Sequence, residues 1–136
     1  MVDRVDEACV IVMRARTLVS TGFRLHGRDP ATGLDCVGLV ASAAGVTHGV
    51  PTGYALRGGR AQHFTSLIDT FASRRTGHPR RGDVLMIVAG PAQYHLGVWT
   101  GHSLIHAHAG LRRVVETPGA PEGEIVASWH ITKEIE

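Results

Sequence analysis

The stretch Leu34-Asp35-Cys36-Val37-Gly38-Leu39-Val40 decides how the rest of the sequence is interpreted. Its cysteine, Cys36, lies between a turn signal at 29–33 and an apolar run of helical length at 37–46. A helix is therefore predicted to begin at Cys36, with Asp35 as its N-cap. At that position the backbone N–H groups and the positive end of the helix dipole face the sulfur, and both favour the thiolate. We expect the pKa of the thiol to lie below its free value of about 8.5. A buried cysteine that acts as a small hydrophobic residue is the alternative.

Length and composition are typical of one globular domain, residues 1–136. The chain is 43% hydrophobic and 19% charged, which is ordinary for a soluble protein. A net charge of +2 is too small to indicate nucleic acid, and the arginine pairs are scattered with few aromatic residues between them. No apolar stretch approaches the roughly 20 residues that span a bilayer. Neither nucleic acid nor membrane insertion is therefore predicted.

The first six residues lack the basic start and the apolar segment of a secretory signal. This predicts synthesis in the cytoplasm, with retention there or release by a route that needs no signal. Two cysteines, Cys9 and Cys36, do not form a disulfide framework, and both are expected to be reduced.

The hydrophobic pattern predicts helices in the first half of the chain and strands in the second. The predicted helices span 3–19, 36–44 and 61–73, with loops at 23–33 and 45–59. The predicted strands lie at 84–88, 94–99, 103–108, 112–116 and 125–132. Cys9 falls on the apolar face of the first helix and is expected in the core. Helices followed by four or five short antiparallel strands indicate an α+β domain.

One predicted hairpin carries three histidines. If Thr100 pairs with Ser103 across a two-residue turn, His95 lies opposite His108, and His106 is diagonal to His95 on the same face. A three-residue turn would move the last two to the other face. A cysteine hydrolase needs one imidazole to take the thiol proton and a further group to orient that imidazole.

Four motifs, at 35–40, 81–84, 95–101 and 105–107, occur in order along the chain. Together they resemble the NlpC/P60 family of cysteine peptidases, and the match covers most of the chain, from about Ala15 to Ala109. Asp35-Cys36-Val37-Gly38-Leu39-Val40 resembles the family's nucleophile motif, with valine replacing its serine. Arg81-Gly82-Asp83-Val84 resembles its turn into the first core strand. His95-Leu96-Gly97-Val98-Trp99-Thr100-Gly101 and Ile105-His106-Ala107 resemble the strands that carry its base and its third residue. The resemblance implies a papain-like fold in which N-terminal helices pack on a short antiparallel sheet.

Carried over position by position, the resemblance implies a catalytic triad. Cys36 is the nucleophile, His95 is the base and then the acid, and His106 orients His95, with His108 as the alternative for that last role. The backbone N–H of Cys36 is one oxyanion donor. Asp35 supports the site as the helix cap. No cofactor is implied.

The second oxyanion donor is the point at which the sequence departs from the family. Members usually have a tyrosine before the nucleophile loop, whereas this chain has Phe23, which lacks a hydroxyl. Arg24 and His26 are the candidates to replace it.

The segment 23–30 resembles the phage-tail branch of the family. That likeness implies a peptidase of a phage or of a phage-like gene transfer particle, with tail-assembly proteins as partners. Its substrate would be the stem peptides of peptidoglycan, cut at the bond between D-glutamate and the diamino acid.

Four other interpretations compete with this one. A metal site could form from His106, His108 and either Cys36 or His95, but no zinc-binding spacing is present. The domain could be an inactive structural module of a tail, a cytoplasmic amidase that recycles wall peptides, or an acyltransferase acting on lipids. The last would need an exposed apolar stripe, which the sequence does not show. The remaining histidines are expected at the surface or in loops, and the two tryptophans in the core.

Overall fold

In the described part of the chain, three helices precede the main run of strands. The computed structural model describes residues 7–46, 50, 61–91 and 93–131. The helices are α1 (Glu7–Thr17), α2 (Cys36–Ala44) and α3 (Ala61–Asp69). The strands are β1 (Arg28–Asp29), β2 (Gly33–Leu34), β3 (Ala72–Arg74), β4 (Val84–Gly90), β5 (Gln93–Trp99), β6 (Ser103–His108), β7 (Arg113–Pro118) and β8 (Glu124–Ile131).

Six of these strands form one antiparallel sheet in the order β3-β8-β4-β5-β6-β7. Alternate residues point to opposite faces of the sheet. Side chains of one face join those of the helices in the main core, which includes Val37, Val40, Leu96, Ile105 and Trp129. The other face carries a smaller cluster made of Leu85, Ile87, Leu104 and the half-buried Trp99. The predicted α+β class, with helices packed on an antiparallel sheet, is confirmed.

Helix α2 is buried on nearly every side, as its apolar sequence predicts. It begins at Cys36 and ends at Ala44, and its C-cap Gly45 adopts the left-handed conformation with φ 76°. A Cβ atom at Gly38 would lie 2.0 Å from the carbonyl oxygen of Gly27. The absence of a side chain at position 38 therefore lets the loop before α2 pack directly on the first turn of this helix.

The hairpin of β5 and β6 has the predicted two-residue turn. The backbone N–H of Thr100 donates to the carbonyl oxygen of Ser103 at 2.9 Å. In the ladder, Gly97 pairs with His106 and Trp99 with Leu104. Since His95 is two residues before Gly97, it lies diagonal to His106 on the same face of the sheet, as predicted.

Helix α3 is shorter than predicted. It ends at Asp69 rather than Ser73, and β3 follows at Ala72–Arg74. Phe71 lies beyond the helix but is still buried in the core. Two turn hydrogen bonds, from the N–H of Thr70 to Leu67 and from the N–H of Phe71 to Ile68, hold the chain there, so the apolar spacing of the sequence continues past the last helical residue. The helical pattern therefore extends beyond the helix itself. Strand β1 and Gly33 of β2 lie in the segment 23–33 that was predicted to be loop.

Other boundaries fall within a few residues of their predicted positions. Helix α1 covers most of the predicted 3–19, of which residues 3–6 lie outside the described part of the chain, as do most of the predicted loop 45–59 and Thr132. Strands β4 and β7 extend two residues beyond their predicted ends, to Gly90 and Pro118. No helix among the described residues is long and apolar enough to cross a membrane.

Candidate active site

The carboxylate of Asp35 fixes the start of helix α2. It is fully buried, and its Oδ1 accepts the backbone N–H of Gly38 at 2.9 Å, so Asp35 is the N-cap that the sequence predicts. Its Oδ2 accepts the backbone N–H of His26 at 2.9 Å. The guanidinium of Arg28 forms an ion pair with Oδ1 at 3.0 Å. One carboxylate therefore joins the helix terminus to the loop that covers it.

Cys36 and His95 line the same cavity. This cavity has a volume of about 150 Å³ and is also lined by Phe23, Ala89, Gln93, Tyr94, Ala107 and Ala109. Cys36 enters it from the first turn of α2, and His95 from β5. The structure thus places both sequence-predicted residues at one site, although 59 positions separate them in the chain.

The imidazole of His95 is held by His106. His95 Nε2 lies 2.7 Å from His106 Nδ1, and the two rings meet edge to face with centroids 4.8 Å apart. Because Nε2 is engaged in this bond, Nδ1 is the ring nitrogen that remains for the cysteine. The bond follows from the register of the hairpin, which places the two histidines diagonally.

The third histidine of the hairpin contacts His106 and a turn. The ring of His108 lies 5.7 Å from that of His106, centroid to centroid, and its Nδ1 accepts the backbone N–H of Leu111 at 3.0 Å. The hydrogen bond to His95 is made by His106. His95, His106 and His108 also line a larger cavity of about 450 Å³ on the sheet face that carries Leu104.

A glycine beside His95 lets the side chains of β6 lean toward β5. A Cβ atom at Gly97 would lie 2.7 Å from a methyl carbon of Leu104. Leu104 pairs with Trp99 yet leans over Gly97, in the same diagonal sense in which His106 reaches His95. The glycine in the His-Leu-Gly motif is therefore required by packing.

Burial controls the ionisation of the cysteine. Cys36 is 2% exposed, and burial raises the pKa of its thiol to about 12, with the neighbouring Asp35 carboxylate adding to the increase. The backbone N–H groups of Leu96, Val37 and Cys36 itself act in the opposite direction. The prediction of a lowered thiol pKa is therefore wrong for the resting protein, because desolvation of the thiolate outweighs the helix terminus.

Burial also controls the two histidines that touch. It lowers the pKa of His95 to about 4, and the charges of His106 and His108 contribute further. It lowers the pKa of His106 to about 4 as well, with His108 as the second cause. At neutral pH the resting site therefore holds a neutral thiol beside neutral imidazoles.

Phe23 lines the cavity beside Cys36, in the place where the family resemblance implies a tyrosine. Neither Arg24 nor His26 is among the residues that line this cavity. His26 instead supports Asp35 through its backbone, with a φ of 60°. No side chain predicted to replace the missing hydroxyl therefore lines this cavity in the described part of the chain.

The other predicted residues lie away from this cavity. Cys9 is half-buried rather than in the core, because its face of α1 lies at the edge of the packing, where its sulfur is 3.7 Å from that of Met13. Trp129 is fully buried, and its indole N–H donates to Asp69 at 2.8 Å. Histidines at 63, 78, 102 and 130 are exposed as predicted, whereas His48 lies outside the described residues. Among the described residues, no group of three metal-binding side chains is arranged to hold an ion.

Two residues of the site were not predicted from the sequence. Arg28 pairs with Asp35, and the hydroxyl of Thr117 on β7 lies 2.9 Å from His106 Nε2. A signal for Thr117 exists in the spacing, since His95, His106 and Thr117 are each 11 positions apart on successive strands. Because the β5–β6 and β6–β7 hairpins have nearly equal lengths, residues 11 positions apart lie diagonally across neighbouring strands and form a row across the sheet.

The backbone resembles those of solved NlpC/P60 domains. No protein-family model and no curated protein matches the sequence. Among solved structures, NlpC2 from Trichomonas vaginalis superimposes with a TM-score of 0.68 at 14% identity, over 96% of this chain and 49% of that chain. The peptidoglycan hydrolase RipB from Mycobacterium tuberculosis gives a TM-score of 0.59 at 22% identity, over 94% of this chain and 66% of that one.

RipD from Mycobacterium tuberculosis is similar to the same degree, with a TM-score of 0.62 at 14% identity over 95% of this chain and 100% of RipD. It is described as a non-catalytic NlpC/P60 domain protein adapted to peptidoglycan binding. The chain spans about half the length of the two Trichomonas structures that it resembles. The fold is therefore that of NlpC/P60 domains, which include both hydrolases and a non-catalytic protein.

Proposed function

We propose that this chain is a member of the NlpC/P60 family, a single domain over residues 1–136, and a cysteine peptidase acting on the stem peptides of peptidoglycan. One observation carries the proposal: Cys36 at the start of a buried helix shares a cavity with His95, whose far nitrogen is 2.7 Å from His106. A nucleophile, a base and a group that orients the base are the parts that amide hydrolysis by cysteine requires. The solved hydrolases of this fold support the choice of substrate.

The reaction starts from the neutral pair. The thiol proton of Cys36 passes to His95 Nδ1 as the sulfur attacks the amide carbonyl carbon, and the carbonyl oxygen becomes an oxyanion. The backbone N–H of Cys36, at the N-terminus of α2, donates to that oxyanion. When the tetrahedral intermediate collapses, the C–N bond breaks and His95 returns the proton to the departing amine.

Hydrolysis of the thioester completes the cycle. Water gives a proton to His95 Nδ1 and attacks the thioester carbonyl, so that the C–S bond breaks and the acid leaves. The proton returns to the Cys36 sulfur. His106 keeps His95 oriented in both halves of the reaction, and no cofactor takes part in it.

The proposal extends to the bond that is cut and to the place where the protein acts. The bond between D-glutamate and the diamino acid is the proposed site of cleavage, and a phage or phage-like particle tail is the proposed location. The motif at 35–40 and the loop at 23–30 support this assignment. Tail-assembly proteins are its proposed partners, and a cytoplasmic amidase that recycles wall peptides is the alternative setting.

A second candidate function is peptidoglycan binding without catalysis, as in an inactive tail module. One observation favours it: Phe23 lines the cavity without offering a hydroxyl. RipD is a non-catalytic protein with this fold.

Digestion of purified peptidoglycan tests both functions. The chain should release stem-peptide fragments with new amino termini, detected by mass spectrometry. Cys36→Ala should abolish release while its circular dichroism remains that of the parent, and the matched Cys9→Ala should leave release intact. Cleavage by Cys36→Ala would disprove the nucleophile. Co-sedimentation with peptidoglycan in the absence of any cleavage by the parent chain would instead support the binding module.

A further inference from the structure

On the sheet face that carries Leu104, the diagonal row of hydrogen-bonded side chains extends from His95 past His106. Thr117 on β7 places its hydroxyl 2.9 Å from His106 Nε2, and His106 Nδ1 lies 2.7 Å from His95 Nε2. Thr117 pairs with Leu104, two residues from His106, so it reaches His106 by the same diagonal step by which His106 reaches His95. Three side chains from three adjacent strands thus form one continuous hydrogen-bonded chain.

The proton positions along this chain are interdependent. A neutral imidazole carries one N–H, so one of its nitrogens donates and the other accepts. His106 is 9% exposed, and burial keeps it neutral because its pKa is lowered to about 4. Its two ring nitrogens therefore play opposite roles: if Nδ1 accepts from His95, Nε2 must donate to Thr117.

Protonation of His95 permits one arrangement only. When His95 holds a proton on each nitrogen, Nε2–H points at His106 Nδ1, which must then be an acceptor. His106 must at that moment carry its proton on Nε2 and donate it to the Thr117 oxygen. The other tautomer would point two N–H groups at each other across 2.7 Å.

We propose that Thr117 is a positioning residue of the site, whose hydroxyl accepts from His106 Nε2–H and so holds His106 in the tautomer that allows His95 to take up a proton. This inference rests on the proposed peptidase function, because it assigns Thr117 a role in that reaction. A hydroxyl oxygen suits the position since it can accept from His106 Nε2–H both before and after His95 Nδ1 takes up the thiol proton.

The neighbouring charged and titratable groups do not take over this role. Those that face His95 and His106 are Cys36 from α2, Tyr94 from β5, His108 from β6, Glu116 from β7 and Glu122 from the turn before β8. Glu116 is held by Arg16 at 3.1 Å and by the hydroxyl of Ser103 at 2.6 Å. Strand β4 contributes Ile87 and Ala89, which do not titrate. Among the described residues, His106 Nε2 is hydrogen-bonded to the hydroxyl of Thr117.

Thr117→Val removes the hydroxyl and keeps the shape of the side chain. Position 117 is exposed, so the variant should fold, and circular dichroism checks this. A buried Nε2–H without an acceptor is costly, so kcat should fall by about tenfold while KM stays within about twofold. His95 should also take up a proton less readily, which moves the acid limb of the kcat/KM profile to lower pH. Thr117→Ser should restore both, and Thr76→Val in an exposed loop should change neither.

A direct measurement of the tautomer separates this proposal from the peptidase assignment. In ¹⁵N-edited NMR spectra of the parent chain near neutral pH, His106 should show a protonated Nε2 and an unprotonated Nδ1. Thr117→Val should shift this population toward Nδ1–H, and Thr117→Ser should not. This readout needs no substrate, so it decides the role of Thr117 even if no cleavage is ever detected. The proposal is overturned if the parent is already Nδ1–H, if Thr117→Val leaves the tautomer unchanged, or if Thr117→Ser behaves like Thr117→Val.

Discussion

Replacing Asp35 by asparagine should lower stability and raise the reactivity of the neighbouring thiol at the same time. The parent carboxylate is fully buried and accepts from Gly38 at 2.9 Å, from His26 at 2.9 Å and from Arg28 at 3.0 Å. Asparagine is also a good N-cap, so its carbonyl oxygen in the place of Oδ1 can still accept from Gly38 and Arg28. Its amide group cannot accept, and the charge opposite Arg28 is lost.

The loss of stability comes from the groups that lose their partner, which are a buried N–H donor and the guanidinium of Arg28. A buried donor that loses its acceptor costs about 1 to 3 kcal/mol, and a buried ion pair that loses one partner costs about 3 to 5 kcal/mol. The side chain of Arg28 is a quarter exposed, so water solvates its guanidinium in part and reduces the cost of losing the ion pair. Asp35→Asn should therefore lower the free energy of unfolding by about 2 to 4 kcal/mol. The matched Asp29→Asn, at the exposed end of β1, should cost only about 0.5 kcal/mol.

The reactivity of the Cys36 thiol should rise while the stability falls. The charge on Asp35 contributes to the raised pKa of Cys36, second only to burial. Without that charge the pKa should fall, although burial still keeps it above the value of a free cysteine. The profile of alkylation rate against pH should therefore shift to lower pH in Asp35→Asn and remain unchanged in Asp29→Asn.

Urea denaturation measures the first effect, and iodoacetamide labelling of the folded proteins measures the second. Labelling is done in the Cys9→Ala background, so that a single sulfur reports. The reasoning is refuted if Asp35→Asn is as stable as Asp29→Asn, or if its alkylation profile moves to higher pH.

Two further predictions concern pH and packing. Because the unfolded chain protonates His95 and His106 near pH 6.5 whereas the folded chain does so only near pH 4, the unfolded state binds more protons between these values. Stability should therefore fall as pH drops through that window, by up to about 7 kcal/mol for the pair. Urea denaturation at a series of pH values gives the free energy of unfolding against pH, whose slope should be flatter in a His95→Gln/His106→Gln variant and unchanged in His130→Gln. Equal slopes in the parent and both variants would contradict this origin. Gly38→Ala should destabilise by about 1 to 3 kcal/mol because its Cβ would lie 2.0 Å from a backbone oxygen, which outweighs the better helix propensity of alanine; Ser42→Ala in the same helix should not destabilise, and a Gly38→Ala variant as stable as its parent would show that the loop can move.

The sequence predicted the buried helix well because local signals and packing agree there. Asp35 is a strong cap, the run after Cys36 is apolar on every side, and Gly45 provides the left-handed end. The register of the β5–β6 hairpin could also be predicted from the sequence. A two-residue turn fixes that register and thereby the diagonal contact of His95 with His106.

What the sequence did not predict depends on contacts between distant segments. The end of α3 and the start of β3 follow from pairing of Ala72 with Ile131, and no local pattern marks that pairing. The ionisation of Cys36 was predicted in the wrong direction for the same reason. The helix terminus is a local feature, whereas burial of the sulfur arises from the sheet and the covering loop.

The raised pKa of Cys36 and the lowered pKa of His95 have one cause, and this decides which experiment can distinguish a peptidase from a binding module. Burial penalises each charge when it is alone, so a thiolate or an imidazolium by itself is disfavoured. A thiolate beside an imidazolium is a different state, because each ion stabilises the other, and proton transfer between the two leaves the net charge of the cavity unchanged. Slow alkylation of the resting thiol is therefore compatible with catalysis. Cleavage itself, and its loss in Cys36→Ala, separates the two functions.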